Sequence, residues 1–271
     1  MPFLIGGNKL LYCRANLDDT KLEEQGYRQL HDMGTETYYR DYSIYTCDID
    51  LETGIATNEQ NIFQDDLKNV YCSPSAFTDG QGKINLIYTR EDLVSHRKPI
   101  YRAYRRKGDD LNSLGEPEFI PQIMGLRSYC VAENIKYKAV ASSYIGNAFI
   151  VVENKQAKVI RKIAIGLCGF VRRISFVYGT NKLLLTYPSN IGKQQTNDCH
   201  FTDELDLDTL EVKAIVADQK SIYKCSIFEN KIIYTRKNNN CDSYSAKLCL
   251  SDFVYRVGRI RPIVQIEINL G

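Results

Sequence analysis

Apolar and polar positions alternate along this chain in a pattern that recurs five times: an apolar run, a tight turn rich in Gly or Asn, a second apolar run, then a polar segment. The second runs read Leu10-Leu11-Tyr12-Cys13-Arg14, Leu86-Ile87-Tyr88-Thr89-Arg90, Lys138-Ala139-Val140-Ala141-Ser142, Leu183-Leu184-Leu185-Thr186-Tyr187 and Ile232-Ile233-Tyr234-Thr235-Arg236. Third runs follow at Tyr45 to Asp50, Ile100 to Tyr104, Asp203 to Asp208 and Ala246 to Leu250. Period-two alternation over five to seven positions predicts half-buried strands. Asp50-Leu51-Glu52-Thr53-Gly54 and Asp208-Thr209-Leu210-Glu211 carry turn chemistry, because short polar side chains bond their own backbone.

Each unit therefore parses into four short antiparallel strands, and self-similarity at this period predicts a radial array. The predicted fold is all-β: one five-bladed β-propeller domain over 1–271, with blades at about 1–67, 68–124, 125–167, 168–219 and 220–271. The first unit is long because of an insertion at 18–41. It has a helical signature: Thr20 and Glu23 form a capping box, Leu22, Leu30 and Met33 share a helical face, and Gly34 supplies a stop. The last unit reads as having four strands of its own, ending at Ile263-Val264-Gln265-Ile266-Glu267. The ring is then expected to close by packing of blade one on blade five.

The two rims of such a wheel differ in this sequence. First-to-second-strand turns are mostly tight (Gly6-Gly7-Asn8, Gly179-Thr180-Asn181), whereas four second-to-third connections are long. Long connections concentrate function because they are not needed to hold the fold. Residues expected at the mouth on the long-loop rim lean basic. Arg14, Arg90 and Arg236 leave the second strands; Arg127, Arg172, Arg173 and Lys224 enter the first strands, with Tyr71, Tyr129 and Tyr223 in the same layer. Arginine suits forked recognition of carboxylate or phosphate, and tyrosine offers a flat face with a polar tip. The competing reading is local neutralisation, since Asp18 and Asp19 follow Arg14, and Glu91 and Asp92 follow Arg90. The run Tyr104-Arg105-Arg106-Lys107 reads as a solvated strand end on the opposite rim.

Composition narrows the classes. The 271 residues are 44% hydrophobic and 25% charged, with a net charge of +2, so no whole-molecule field toward nucleic acid or membrane is implied. No apolar stretch approaches membrane-span length, and the N-terminus lacks a secretory signal pattern. Nine cysteines, most in strand-like runs and none in a Cys-x-x-Cys, read as reduced core thiols. With three histidines and no metal-ligand spacing, neither metal nor cofactor is expected. The expected location is cytoplasmic or an intracellular assembly, including a virion.

The segment Tyr71-Cys72-Ser73-Pro74-Ser75-Ala76-Phe77, followed by Gly82-Lys83-Ile84-Asn85-Leu86-Ile87-Tyr88-Thr89, resembles the five-bladed glycoside-hydrolase superfamily of arabinanases, xylosidases and invertases. The resemblance is a Pro in the inner strand, a glycine turn and an aromatic-rich second strand. It implies the blade architecture along most of the chain. The superfamily's chemistry needs two carboxyl groups flanking the scissile bond. The resemblance places its acids near the starts of the first, third and fourth inner strands. Here those positions read Met1-Pro2-Phe3-Leu4, Leu126-Arg127-Ser128-Tyr129 and Val171-Arg172-Arg173-Ile174. Asp65, Asp66 and Asp218 are the remaining acids just before inner strands.

Two functional classes follow. One is a non-catalytic binding or assembly module for an anionic small molecule, a glycan or a protein partner, of a kind that suits a viral or phage component. The other is a diverged glycoside hydrolase or phosphorylase. A third, structural reading has the insertion docking a neighbour through Leu22, Leu30 and Met33.

Overall fold

The computed structural model describes residues 2–15, 29–32, 35–38, 42–63, 71–92, 100–121, 131–144, 147–168, 171, 173–188, 200–217, 225–237, 246–256 and 264–269. Among these residues the regular structure is β-strand throughout, with no helix. The first unit holds β1 (Phe3–Ile5), β2 (Lys9–Ala15), β3 (Gln29–Asp32), β4 (Thr35–Tyr38), β5 (Tyr42–Ile49) and β6 (Ala56–Asn61). The second holds β7 (Tyr71–Thr78), β8 (Ile84–Asp92), β9 (Ile100–Gly108) and β10 (Glu118–Phe119), and the third β11 (Val131–Glu133), β12 (Tyr137–Tyr144), β13 (Asn147–Asn154) and β14 (Val159–Cys168). The fourth holds β15 (Arg173–Phe176), β16 (Lys182–Pro188), β17 (His200–Asp206) and β18 (Val212–Ala217). Last come β19 (Cys225–Phe228), β20 (Lys231–Lys237), β21 (Ala246–Arg256) and β22 (Val264–Asn269).

The first and second units are four-stranded antiparallel sheets, ordered β1-β2-β5-β6 and β7-β8-β9-β10. All five second runs read from the sequence are strands, namely β2, β8, β12, β16 and β20. Their near-continuous apolar character has a physical cause. Each strand is sandwiched between neighbouring sheets, and successive side chains point to opposite faces. In β16, Leu183 and Leu185 pack with Ala139, Ile150 and Ile163 of the third unit, while Leu184 packs with Ile227, Ile232 and Phe253 of the last.

Similar seams join the other units. Phe3, Leu11 and Ile44 meet Ala76, Leu86 and Tyr88, and Phe77, Ile87 and Ile120 meet Val131. Leu4, Leu10 and Cys47 meet Ile233, Phe228 and Leu250, so the first unit packs on the last. The backbone N–H of Leu4 also donates to Ser226 Oγ at 2.9 Å across this seam. The arrangement is all-β and propeller-like.

Three features differ from the sequence reading. Within the insertion, β3 and β4 pair as a hairpin, with Asp32 opposite Thr35, where a helix was expected. Thr35, Thr37 and Tyr38 favour strand, and this outweighs a helical periodicity resting on three widely spaced residues. Thr20, Leu22, Glu23, Met33 and Gly34 lie outside the described residues.

The expected fourth strand of the last unit, 263–267, pairs elsewhere. β22 runs antiparallel to β14, from Val159 opposite Asn269 to Ala164 opposite Val264, and makes the third sheet five-stranded. An alternating edge strand carries little register information of its own, so its sequence fits more than one edge. Finally, β21 serves two sheets. Residues 246–252 pair with β20, and residues 253–256 pair with β18, giving one seven-stranded sheet.

The outer turns share one device. Asp50 Oδ1 accepts from the N–H groups of Glu52 (2.8 Å) and Thr53 (3.3 Å). Asp206 Oδ1 does the same for Asp208 (2.9 Å) and Thr209 (3.1 Å), and Asn154 Oδ1 for Gln156 (3.1 Å) and Ala157 (3.0 Å). Four residues after each Asx the backbone turns left-handed, at Gly54 (φ 72°), Leu210 (φ 60°) and Lys158 (φ 52°).

Candidate functional site

Only part of the expected basic mouth falls among the described residues. Arg127, Tyr129, Arg172, Tyr223 and Lys224 lie outside the described residues. Tyr71 and Arg236 are described as backbone positions on β7 and β20. Arg14 forms an ion pair with Glu59 on β6 and lies over the Tyr45 ring, 5.5 Å from its centroid. A neutralising partner is thus Glu59 of the outer strand of the same sheet, and Asp18 and Asp19 lie outside the described residues. Arg90 donates from Nη2 to Tyr104 Oη at 2.9 Å, with its guanidinium carbon 4.3 Å from that ring's centroid. Arg173 is 4% exposed, on the face of β15 that meets Cys225 of the last unit.

The axis is bridged near the tight-turn rim. Thr78 Oγ1, at the end of β7, and Tyr178 Oη, two residues after β15, lie 2.6 Å apart and are hydrogen-bonded. Tyr178 also packs against the cluster holding Phe3 and Ile84. Asn134 Nδ2 donates to Thr180 O (2.8 Å) and Asn181 Oδ1 (3.0 Å), tying the third and fourth units at the same level.

Beside this bridge, between the second and third sheets, the described residues form a cleft of about 350 Å³. Phe77, Asp79 and Asn85 come from β7, β8 and their turn, and Arg105, Lys107 and Glu118 from β9 and β10. Ile135 and Lys155 line it from the turns of the third unit. Alternation along β9 explains the sorting. Arg105 and Lys107 share a face with Ala103, toward the third unit, whereas Arg106 lies over Phe63 of the first, 4.6 Å from its centroid. The basic run thus ends its strand as expected from sequence, with Lys107 exposed, while Arg105 and Arg106 are half-buried in two different seams.

Behind the cleft is a charged layer. Glu133 is 4% exposed, and its Oε1 accepts from Arg105 Nη1 (3.1 Å) and Lys155 Nζ (2.8 Å). Its Oε2 is buried without a hydrogen-bond partner among the described residues. Directly opposite Arg105 in register, Glu118 takes the outer edge of the guanidinium: Nη2 lies 2.8 Å from both carboxylate oxygens and Nε 3.2 Å from Oε2. Lys107 Nζ lies 2.7 Å from Asp79 Oδ2. That contact, helped by Asn85 and the N–H groups of Gln81 and Lys83, holds the Asp79 carboxyl well below the usual carboxylate range. Burial pushes the Lys138 ammonium down, against the opposing pull of Glu153 and Glu133.

Sequence reasoning missed this site because it looked for function in long connections. The available signal was the Asp79-Gly80-Gln81-Gly82-Lys83 turn facing a strand with Arg105 and Lys107 at alternate positions.

Other buried acids are also clamped. Glu204 is 3% exposed and meets Lys182 Nζ (3.1 Å) and Tyr255 Oη (2.6 Å). Asp203 accepts from Tyr187 Oη at 2.6 Å. Cys13, Cys47, Cys225 and Cys249 are free thiols, and burial pushes Cys225 up to about 11. No group of three His, Cys, Asp or Glu suited to a metal occurs among the described residues.

No protein-family model matches the chain, and no curated protein matches it. Solved structures do. TolB from Acinetobacter baumannii is 14% identical with a TM-score of 0.46; the match covers 78% of this chain and 46% of that one, so the chain spans under half of TolB's length. A glycosyl hydrolase from Bacteroides ovatus is 11% identical over 93% of this chain and 82% of its own, with a TM-score of 0.44. CoXyl43, a GH43 β-xylosidase/α-arabinofuranosidase from a compost microbial metagenome solved with xylotriose, is 13% identical. That match covers 96% of this chain and 92% of CoXyl43, with a TM-score of 0.50. At this identity the likeness is one of fold alone, and it supports a propeller-like all-β fold.

Proposed function

We propose that the chain is a five-bladed β-propeller acting as a non-catalytic binding or assembly module. Its long-connection rim, carrying Arg127, Arg172, Lys224, Tyr129 and Tyr223, holds an anionic small molecule, a glycan or an acidic protein partner. An intracellular assembly, including a virion, is the setting this reading fits.

The observation that carries the reading lies in the sequence. Where the resembled superfamily has its acids, near the starts of the first, third and fourth inner strands, this chain reads Met1-Pro2-Phe3-Leu4, Leu126-Arg127-Ser128-Tyr129 and Val171-Arg172-Arg173-Ile174. Glycoside hydrolysis needs two carboxyl groups flanking the scissile bond.

A second reading is supported by the fold likeness to the xylosidase. In it the chain is a diverged glycoside hydrolase or phosphorylase whose acids come from Asp65, Asp66 or Asp218, all outside the described residues. One pair of experiments separates the two. A glycan and phosphate-ester array probes binding, and release of nitrophenol from aryl β-xylosides and α-arabinofuranosides, with and without phosphate, probes catalysis. The module reading expects array binding that R127A/K224A weakens, with no turnover. Turnover abolished by D66N or D218N overturns it.

A further inference from the structure

We propose that two copies of the chain join edge to edge through the outer side of β21 at residues 246–252, antiparallel about a two-fold axis that passes by Cys249. The inference goes beyond the reading given above and holds whether or not the long-connection rim binds an anion.

One unit lacks a strand that another has in surplus. The first four units each follow their third strand with a fourth: β6, β10, β14 and β18. The last unit has β19, β20 and β21, and the segment expected to complete it pairs with β14 instead. β18 covers the far end of β21, from Phe253 to Arg256. No strand among the described residues pairs with the outer side of 246–252. An uncovered edge of this kind is a template for another strand. The usual devices that blunt an edge are absent from it: β21 contains no Pro, and its register on β20 runs without a bulge.

The free backbone groups of this edge can be assigned. The N–H of Phe253 donates to Asn230 O at 3.0 Å, on the β20 side. Hydrogen-bonding direction alternates along an unbroken ladder. Lys247, Cys249 and Ser251 therefore also bond toward β20, whereas Ala246, Leu248, Leu250 and Asp252 present N–H and C=O to the open side. The edge is apolar as well. Leu248 is 44% exposed. On the adjoining outer turn of the first unit, where a Cβ on Gly54 would lie 3.6 Å from Leu250, Ile55 is 61% exposed.

A second copy is the occupant because the stretch is complementary to itself. Antiparallel pairing centred on Cys249 sets Leu248 against Leu250 of the second copy, and Ala246 against Asp252, so the outward N–H and C=O groups of all four find partners. Lys247 stands opposite Ser251, and no like charges are opposed. Such a contact is isologous and closes at two copies. Cys249, a half-buried free thiol, then faces its own counterpart at a non-hydrogen-bonded position. The two Cα atoms of such a pair lie about 4.5 Å apart, inside the disulfide range of about 4.4–6.8 Å.

The test is the light-scattering mass of the intact chain over a concentration series, with diamide oxidation and amide exchange. Wild type is expected to dimerise reversibly. L248P removes an N–H from the open side only and leaves the ladder to β20 complete. L248K sets a charge against Leu250 of the second copy. Both are expected to raise the dissociation constant about tenfold or more. Should L248P fail to fold, L248K, at an exposed side chain, carries the comparison. Diamide takes two electrons and two protons from a pair of thiols, and is expected to give a disulfide-linked dimer with wild type but not with C249S. A chain that is monomeric at all concentrations overturns the proposal, as does a dimer unaffected by L248K, or one that diamide does not link through Cys249. A monomer whose Leu248 and Leu250 amides resist exchange also overturns it, since the edge is then filled by the chain's own strand.

Discussion

The amide of Leu4 and the hydroxyl of Ser226 meet at 2.9 Å across 222 positions of sequence, between the inner strands of the first and last units. Ser226 is 2% exposed and Leu4 1%, so this contact is dry. Replacing Ser226 by Ala leaves a buried backbone N–H without an acceptor, which costs about 1–3 kcal/mol. Urea denaturation is expected to show a lower midpoint at an unchanged slope. A midpoint equal to wild type would mean that the seam is held by its apolar cluster alone.

The left-handed position of the outer turns predicts opposite outcomes at two sites. Lys158 is exposed at φ 52°, a conformation that costs a non-glycine residue about 1–2 kcal/mol. Lys158→Gly relieves it, at the expense of a more flexible unfolded chain, and is expected to stabilise by about 0.5–1 kcal/mol. Gly54→Ala, at φ 72°, is expected to destabilise by a similar amount. Thermal melts of the two variants should move in opposite directions.

Gly108 closes the strand that carries Arg105 and Lys107. A Cβ built there would sit 2.3 Å from the carbonyl oxygen of Ser113 and 2.8 Å from its carbon, both backbone atoms. The turn around Asp110 must shift to admit it. Gly108→Ala is expected to cost about 2 kcal/mol or more and to loosen the cleft wall. A variant as stable as wild type in urea would show that the turn yields freely.

Acid titration offers a test at the seam of the third and fourth units. The Lys136 ammonium, with the Asn181 amide and the Tyr137 hydroxyl, holds the Asp208 carboxyl at about 2. The unfolded value is about 3.9. A depressed carboxyl contributes stability that is fully present above the unfolded value and is lost as pH falls toward the folded one. The loss attributable to Asp208 therefore lies between about pH 4 and pH 2. Asp208→Asn is expected to lower the melting temperature at pH 7 and to flatten its decline across that window. Salt should shrink the difference, because the Asp208 side chain is 45% exposed.

The strands were the legible part of the sequence. The five second runs stand where alternation put them, because each is buried on two faces and bounded by turn residues, as at Gly179-Thr180-Asn181. Partner choice was less legible. The 264–269 strand carries the same alternation whichever edge it joins, and the hairpin at 29–38 mimics a helical stripe through Leu30 and Met33. The site was least legible. Arg14, Arg90 and Arg173 were placed at a mouth by position along their strands, yet their directions depend on the neighbouring sheet, which the local sequence does not encode. The cleft draws on two units and seven separate turns or strands, so no single stretch announces it.

One strand, β21, is stitched into both of the last two units, through Lys231 to Lys237 on one side and Ala214 to Ala217 on the other. Those units thus have no independent existence: melting either one strips hydrogen bonds from the other. This seven-stranded sheet is a single cooperative block, and its amides should lose protection from exchange together rather than sector by sector.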